Sequence, residues 1–203
     1  MAVVIAAATW CARGEARAQG VPPAYGLPGA HTHDGFFLRL TPGLGGAASS
    51  ESVDGLPLTL SGGGISGSVA VGGAISPSVV LCAETTAISA VDPTVEYRGD
   101  RVELTGGAYA VQYLGLAASY YFASNAYLHA GIGGMWVGVE TPDGASMTTD
   151  AGLAVKGAGG REWWVSDNWG LGVAGSILLG SVRDGDVDMP TALVSVELSA
   201  TYN

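Results

Sequence analysis

The 203-residue sequence is poor in charge and almost devoid of lysine, and each shortage excludes a class of protein. Charged residues make up 13% of the chain, against roughly 25% in ordinary soluble domains. Lysine occurs once, as Lys156, and the net charge at pH 7 is −10. An acidic chain with so few cations is not a nucleic-acid-binding protein, because such proteins carry a basic patch for the phosphate backbone.

Long apolar runs and disulfide bonds are missing too. No run of about 18 apolar residues follows the N-terminal segment, which argues against transmembrane helices. There are two cysteines. Cys11 lies in a segment that we expect to be removed, so Cys82 stands alone and no internal disulfide is expected. No catalytic motif surrounds Cys82, and we interpret it as a small packing residue.

The N-terminal residues predict export. An apolar stretch leads to "ARA", the small-residue pattern of a signal-peptide cleavage site, and the alternative is an ordinary apolar N-terminus. We expect residues 1–19 to be a removed signal peptide whose true start lies upstream, because the usual basic region is missing. Residues 20–33, "GVPPAYGLPGAHTH", predict a periplasmic lead-in without regular structure.

What is abundant is glycine, with 33 residues, and short apolar-rich segments. Eight such segments each supply the roughly 9–11 residues of a tilted transmembrane strand, and none shows a helical period. They are 35–47, 63–75, 78–89, 105–122, 127–140, 149–165, 169–183 and 191–203.

The links between segments alternate in length. Three are short, "SP", "ASNA" and "SDN", and the four between them are longer, polar and acidic. An even strand count with short turns at one end and long loops at the other is typical of an outer-membrane barrel. Residues 34–203 therefore predict an all-β fold, an eight-stranded antiparallel up-and-down transmembrane β-barrel with short periplasmic turns and longer extracellular loops.

Alternate residues form two unlike faces. In the last segment Val194, Val196 and Leu198 share one face, and Ser195 and Glu197 share the other. The faces alone leave open whether the larger apolar set meets lipid or fills a soluble barrel.

Aromatic residues favour lipid, because ten of them lie near the short turns and the chain ends, where a girdle would meet the membrane boundary. The alternative is that these rings merely pack on one another. The predicted girdle comprises Phe36, Phe37, Tyr120, Tyr121, Phe122, Tyr127, Trp163, Trp164, Trp169 and Tyr202.

Two segments alternate less cleanly. In 105–122, Tyr109 and Tyr113 share one face while Leu114 and Leu116 occupy the other, which predicts a bulge near residues 113–115. The stretch "GAGGREWW", 157–164, indicates a second register shift.

Charged and polar residues within the strands lie on the small-residue faces. Because buried charges must be paired, we predict an interior network that plugs the lumen, with Arg39 and Lys156 against Glu84 and Glu197. The alternative is a gated path for protons or ions, since eight strands leave no room for a wide pore. The predicted network comprises Arg39, Glu84, Gln112, His129, Lys156 and Glu197, and Glu162 is a further candidate.

Two places are weak candidates for metal binding. Asp184, Asp186 and Asp188 alternate as in calcium loops but lack the glycine and the distal glutamate of an EF-hand. His31 and His33 lack a further ligand cluster. We favour a solvated acidic rim and a polar strand entry. The alternatives at the loops are divalent cations that bridge the acids to lipopolysaccharide, or direct contact of Arg98, Arg101 and Arg183 with lipid phosphates. No cofactor is expected.

The last eleven residues, "LVSVELSATYN", resemble the terminal strand of bacterial outer-membrane barrels. With the export signal and the eight segments, residues 34–203 resemble small barrels of the OmpA, OmpX and OmpW type. That resemblance implies a Gram-negative, porin-like cell-envelope protein of the outer membrane, inserted by the barrel insertion machinery. It also implies contact with outer-membrane lipids and lipopolysaccharide, and a monomer.

Three functions stay open. The favoured one is a non-catalytic barrel with a plugged lumen and a structural or surface-interaction role. The others are a narrow channel or transporter for small solutes, apolar ones included, and a soluble lipocalin-like binding barrel. We do not expect an enzyme, because lipid deacylation needs a His–Ser pair on a lipid face. His129 has no serine two residues on, and Ser119 on the neighbouring segment fits no known motif.

Overall fold

A computed structural model describes residue 33 and residues 35–53, 55–185 and 187–203. The predicted signal peptide and nearly all of the lead-in lie outside these residues. In the described part no helix is long and apolar enough to cross a membrane. The strands there are β1 (Phe36–Val53), β2 (Leu56–Ser76), β3 (Val79–Val91), β4 (Thr94–Tyr97), β5 (Asp100–Glu103), β6 (Ala108–Tyr121), β7 (Ala126–Glu140), β8 (Ser146–Thr148), β9 (Gly152–Trp164), β10 (Trp169–Asp184) and β11 (Val187–Tyr202).

Eight of these strands form a closed antiparallel barrel, because β1 pairs with β2 on one side and with β11 on the other. The predicted all-β up-and-down barrel is confirmed. The barrel strands are β1, β2, β3, β6, β7, β9, β10 and β11, and the short β4, β5 and β8 lie in the long loops.

The pairing register sets the tilt of the strands. Following paired residues once around the barrel from Ser119 on β6 leads back to β6 at Tyr109, so the stagger is 119 − 109 = 10 residues. With strands roughly 4.8 Å apart and a rise of about 3.3 Å per residue, this stagger tilts the strands by about 40°.

Two of the four predicted long loops are wrong, because strands extend through them. β1 and β2 stay paired from the Phe36–Gly73 pair to the Val53–Leu56 pair. In the turn that joins them Gly55 has a φ of +75°, which glycine adopts without strain. β10 and β11 likewise stay paired up to Asp184 and Val187. Outside lipid a strand needs no apolar face, so its sequence resembles that of a loop.

Large apolar side chains point outwards over the half of the barrel near the short turns. Val194, Val196 and Leu198 are 54%, 73% and 64% exposed, whereas Ser195 and Glu197 are buried. A soluble lipocalin-like barrel would bury the larger apolar set. That alternative is therefore wrong.

The two faces exchange character toward the loop end. On β6, Leu114 and Leu116 point outwards, but nearer the loops Gln112 is exposed, and Tyr109 and Tyr113 are fully buried inside. Pairing with β3 and β7 is unbroken through these residues, so the predicted bulge is wrong. The polar residues move from the inner to the outer face because the strand leaves the hydrocarbon of the membrane. The pairing register does not shift.

An apolar layer fills the lumen at the loop end, as in a soluble barrel. It contains Ala47, Leu60, Ile88, Ala90, Tyr109, Val111, Tyr113, Met135, Val137, Ala154, Leu178, Val182 and Leu193. The strand β9 is also regular. It pairs without a break with β7 through residues 157–161 and with β10 through residues 157–164. The second predicted register shift is therefore wrong.

Placing an arginine at two heights on the outer face of the barrel tests where the lipid-facing belt ends. Val196→Arg is expected to lower the free energy of unfolding by about 2–4 kcal/mol, because an arginine near the membrane midplane is costly. Gln112→Arg, also on the outer face but beyond the apolar belt, is expected to change it by about 0–1 kcal/mol. Denaturant unfolding in phospholipid vesicles measures both, and equal losses would contradict the assigned boundary.

Candidate functional site: the closed lumen

Aromatic rings close the lumen at the short-turn end. Phe37, Tyr121 and Tyr127 are buried inside, and the rings of Tyr121 and Tyr127 lie 5.5 Å apart. The ring of His33, three positions before the start of β1, lies 3.7 Å from that of Tyr121 and so covers this layer.

The predicted metal candidate His33 thus belongs to the aromatic plug. Its Nδ1 hydrogen-bonds with the side-chain oxygen of Asn203 at 2.6 Å, and its ring lies 5.6 Å from that of Trp164. In the described residues no group of three or more histidine, cysteine, aspartate or glutamate side chains could hold a metal ion. His31 lies outside the described residues.

The ten predicted girdle aromatics divide between the two faces. Adjacent residues of a strand point to opposite faces, so Phe36–Phe37, Tyr120–Tyr121 and Trp163–Trp164 cannot all face lipid. Those that point outwards and are 39–53% exposed are Phe36, Tyr120, Phe122, Trp163 and Trp169. Tyr202 packs against Trp169, and the centroids of the two rings lie 5.3 Å apart. The placement of Phe37, Tyr121 and Tyr127 in the girdle is wrong.

Arg39 lies just inside this plug and pairs with Glu162. Its Nε is 3.3 Å from Glu162 Oε1, its Nη2 donates to the Tyr121 hydroxyl, and its guanidinium lies 4.1 Å from the Tyr127 ring centroid. Thr201 donates to Glu162 Oε1 at 2.7 Å. The predicted partners Glu84 and Glu197 are wrong for Arg39, because the unbroken register of β9 brings Glu162 into the lumen.

Lys156 forms a second cluster, further along the lumen. Its Nζ donates to Glu84 Oε2 at 3.1 Å, to Thr86 Oγ1 at 2.7 Å and to Ser68 Oγ at 3.0 Å. The three hydrogen bonds satisfy all three protons of the ammonium group. Lys156 is 5% exposed and Glu84 is 2% exposed, so the pair is fully desolvated.

Glu84 also accepts from His129, which extends the cluster to Ser119. His129 Nε2 lies 3.0 Å from Glu84 Oε2, and His129 Nδ1 lies 2.8 Å from Ser119 Oγ. This Ser–His–Glu series has the hydrogen-bond order of a hydrolytic triad, formed across β6, β7 and β3. Spacing along one strand did not reveal it, because the serine and the histidine meet through the pairing of β6 with β7.

Glu197 has hydroxyl partners and no cation. Ser176 and Ser195 donate to its Oε1 at 2.9 and 2.6 Å, and among the described residues no ion pair includes it. The predicted pairing of Glu197 with a lumen cation is therefore wrong. Among the described residues, the lumen holds the three carboxylates Glu84, Glu162 and Glu197 and the two cations Arg39 and Lys156.

Little space is left between the two clusters. A cavity of about 20 Å³ borders Arg39, Lys156 and Glu197, which is room for about one water molecule. Gln112, the sixth predicted member of the network, is exposed on the outer face. Its assignment to the lumen is wrong, because β6 exchanges the character of its faces between Tyr113 and Leu114.

The loop end is acidic. Arg183 Nε donates to Asp188 at 2.8 Å, and Arg101 Nε donates to Glu96 at 2.8 Å. These ion pairs engage two of the three loop arginines, and Asp188, a predicted calcium ligand, already has a cationic partner. Asp184 lies beside the tight turn of this hairpin, and Asp186 lies outside the described residues. The Thr141 hydroxyl holds the pKa of Asp143 below its usual value.

No family model and no curated protein sequence matches the chain. Solved structures share its fold. One is Neisserial surface protein A, with a TM-score of 0.57 and 16% identity, over 85% of this chain and 99% of that chain. Another is the outer membrane protein OprG from Pseudomonas aeruginosa, with a TM-score of 0.52 and 10% identity, over 85% and 98%. At such identities the likeness concerns the fold alone.

The chain is a small outer-membrane β-barrel. The closed eight-stranded fold, the outward apolar belt and the aromatic residues at its edge each belong to that class. The predicted location in the bacterial outer membrane is confirmed on the same features.

A double-mutant cycle tests the partner of Arg39. Arg39→Met is expected to cost about 3–5 kcal/mol of stability, because it leaves Glu162 buried without its cation. Glu162→Gln should recover part of that loss, and the coupling of Arg39 to Glu197, measured with Glu197→Gln, should be smaller than its coupling to Glu162. Denaturant unfolding of the four-member cycles gives the coupling energies. Coupling to Glu197 and not to Glu162 would refute the assignment.

Proposed function

We propose that this protein is a non-catalytic outer-membrane barrel whose lumen is permanently closed and whose role is structural or exerted at its loop-end surface. The observation that supports this role is the filling of the lumen by three successive layers. These are the aromatic plug, the paired charges and the apolar layer.

Opening such a lumen is costly at every layer. Breaking one buried ion pair costs about 3–5 kcal/mol, and the apolar layer would have to admit water among fully buried side chains such as Tyr109 and Leu178. A channel for ions or polar solutes needs a continuous polar path, which the apolar layer interrupts, and an apolar solute would have to pass the paired charges. The closed lumen therefore favours the structural role over the channel alternative.

The same burial argues against catalysis by the Ser–His–Glu series. Ser119 is 1% exposed, and the nearby cavity of about 20 Å³ holds no more than a small molecule such as water. A hydrolase must bring a carbonyl to within about 3 Å of its nucleophile. We infer that the series fixes the orientation of His129 and positions Glu84 for Lys156.

The loop-end surface is where contacts with other envelope components would form. The β1–β2 and β10–β11 hairpins project beyond the apolar belt, and β4 and β5 extend the sheet beside β2. Ten described acids stand there against Arg98, Arg101 and Arg183. Divalent cations bridging these acids to lipopolysaccharide phosphates suit this surface better than direct arginine contacts, because Arg101 and Arg183 already have carboxylate partners. The ten acids are Glu51, Asp92, Glu96, Asp100, Glu103, Glu140, Asp143, Asp150, Asp184 and Asp188.

We further propose that the protein acts as a monomer that the barrel insertion machinery delivers to the membrane. Its terminal strand β11 closes the barrel against β1, so the segment with the resemblance to insertion signals is also the segment that completes the fold. No nucleic acid and no cofactor takes part.

Planar-bilayer recording tests the closed lumen. The folded protein, verified by heat-modifiable gel migration, is expected to give no discrete conductance, and Arg39→Ala is expected to stay silent because the apolar layer remains. A water-filled porin serves as the positive control. Discrete conductance that changes with Arg39→Ala would instead establish the channel alternative.

A chelation experiment tests the cation-bridged surface. Lipopolysaccharide bound to the folded protein is expected to be released by excess chelator and restored by added calcium, because the loop acids repel phosphates without a bridging cation. Tryptophan fluorescence would confirm that the barrel stays folded throughout. If the amount of bound lipopolysaccharide changes with neither chelator nor calcium, cation bridging is contradicted.

A further inference from the structure

An apolar groove crosses the outer wall of the barrel over β2, β3, β6 and β7. Its volume is about 730 Å³. Exposed large side chains border it, and the alanines Ala83, Ala118 and Ala130 form its floor. Ala118 pairs with Ala130 across β6 and β7, so the depression is continuous between strands. The bordering side chains are Val71, Leu81, Leu116 and Ile132.

The groove lies within the lipid-facing belt. Tyr120, an outward aromatic residue near the short turns, is two residues from Ala118 on the same face of β6. At this depth the surroundings are hydrocarbon, so the species that fills the groove is an acyl chain. The headgroup of that lipid would lie at the short-turn, periplasmic boundary.

A single cation marks that boundary. Arg161 on β9 pairs with Ala126 at the start of β7, is exposed and lies 5.6 Å from the Trp163 ring. The five other described cations are elsewhere, inside the lumen or at the loop end. In the described part of the chain Arg161 has no carboxylate within ion-pair distance.

Between Arg161 and the groove the outer face of β9 carries glycines, and the exposed side chain of Leu128 on β7 lies beside them. On β9, Gly157 lies opposite Ala130 and Gly159 opposite Leu128. From Ala126, opposite Arg161, to Ala130 is four residues along β7, or about 14 Å. An acyl chain can therefore extend from a headgroup at Arg161 into the groove.

We propose that this wall is a binding site for one anionic phospholipid of the periplasmic leaflet. The Arg161 guanidinium binds the phosphate, with two parallel N–H donors available to its oxygens. One acyl chain occupies the groove above Ala118 and Ala130. The site is on the outer face and is independent of the closed lumen and of the acidic loops.

Native mass spectrometry of the folded protein in detergent with equal phosphatidylglycerol and phosphatidylcholine tests the site. The protein is expected to retain phosphatidylglycerol preferentially. Arg161→Gln should lower that preference about fivefold, the effect of one basic side chain at a lipid surface. Ala130→Phe fills the groove and should lower the retention of both lipids.

Two matched variants serve as controls. Arg183→Gln removes an exposed arginine at the loop end, and Ala200→Phe enlarges a small outward residue on the opposite wall; neither should alter retention. Heat-modifiable migration verifies folding of each variant. The proposal is overturned if the wild type shows no preference, if the controls lose as much lipid as the test variants, or if Arg161→Gln acts while Ala130→Phe does not.

Discussion

The closure of β1 against β11 is the constraint on which the rest of the structure depends. Hydrocarbon offers no partner to backbone N–H and C=O groups, so a sheet can cross a membrane only when it has no free edge. Closure at a stagger of 10 residues fixes the strand tilt and the width of the lumen. Every second side chain is then confined to a narrow interior, whatever its polarity.

That confinement explains why the lumen cations Arg39 and Lys156 each have a carboxylate partner, while serine hydroxyls hold Glu197. Arg39, Lys156, Glu84 and Glu162 are each almost fully buried, and leaving one such charge without its partner costs about 3–5 kcal/mol, a large fraction of the stability of a domain. The network is thus a consequence of a barrel too narrow for bulk water. Toward the loops the outer face meets water, and the interior becomes apolar as in any soluble protein.

Much of the fold could be predicted from the sequence because period-2 alternation is a local signal. All eight barrel strands coincide with predicted segments. The wrong predictions of a bulge in β6 and of two long loops share one cause, which is that the environment changes along a strand. The Gln112 region resembled a bulge, and the serine-rich tip of β1 and the start of β2 resembled a loop. For the site, charges such as Arg39 were identifiable, but their partners were not, since Arg39 and Glu162 are 123 residues apart (162 − 39) and meet only through the register.

The sequence by itself determined the class of fold, the eight strands and which residues alternate between two faces, because these follow from local spacing. The tertiary structure decided which face meets lipid, which glutamate pairs with Arg39, that Ser119 meets His129, and that one of each adjacent aromatic pair plugs the lumen. Those outcomes depend on closure and stagger, which bring together residues from distant strands and which local spacing does not encode.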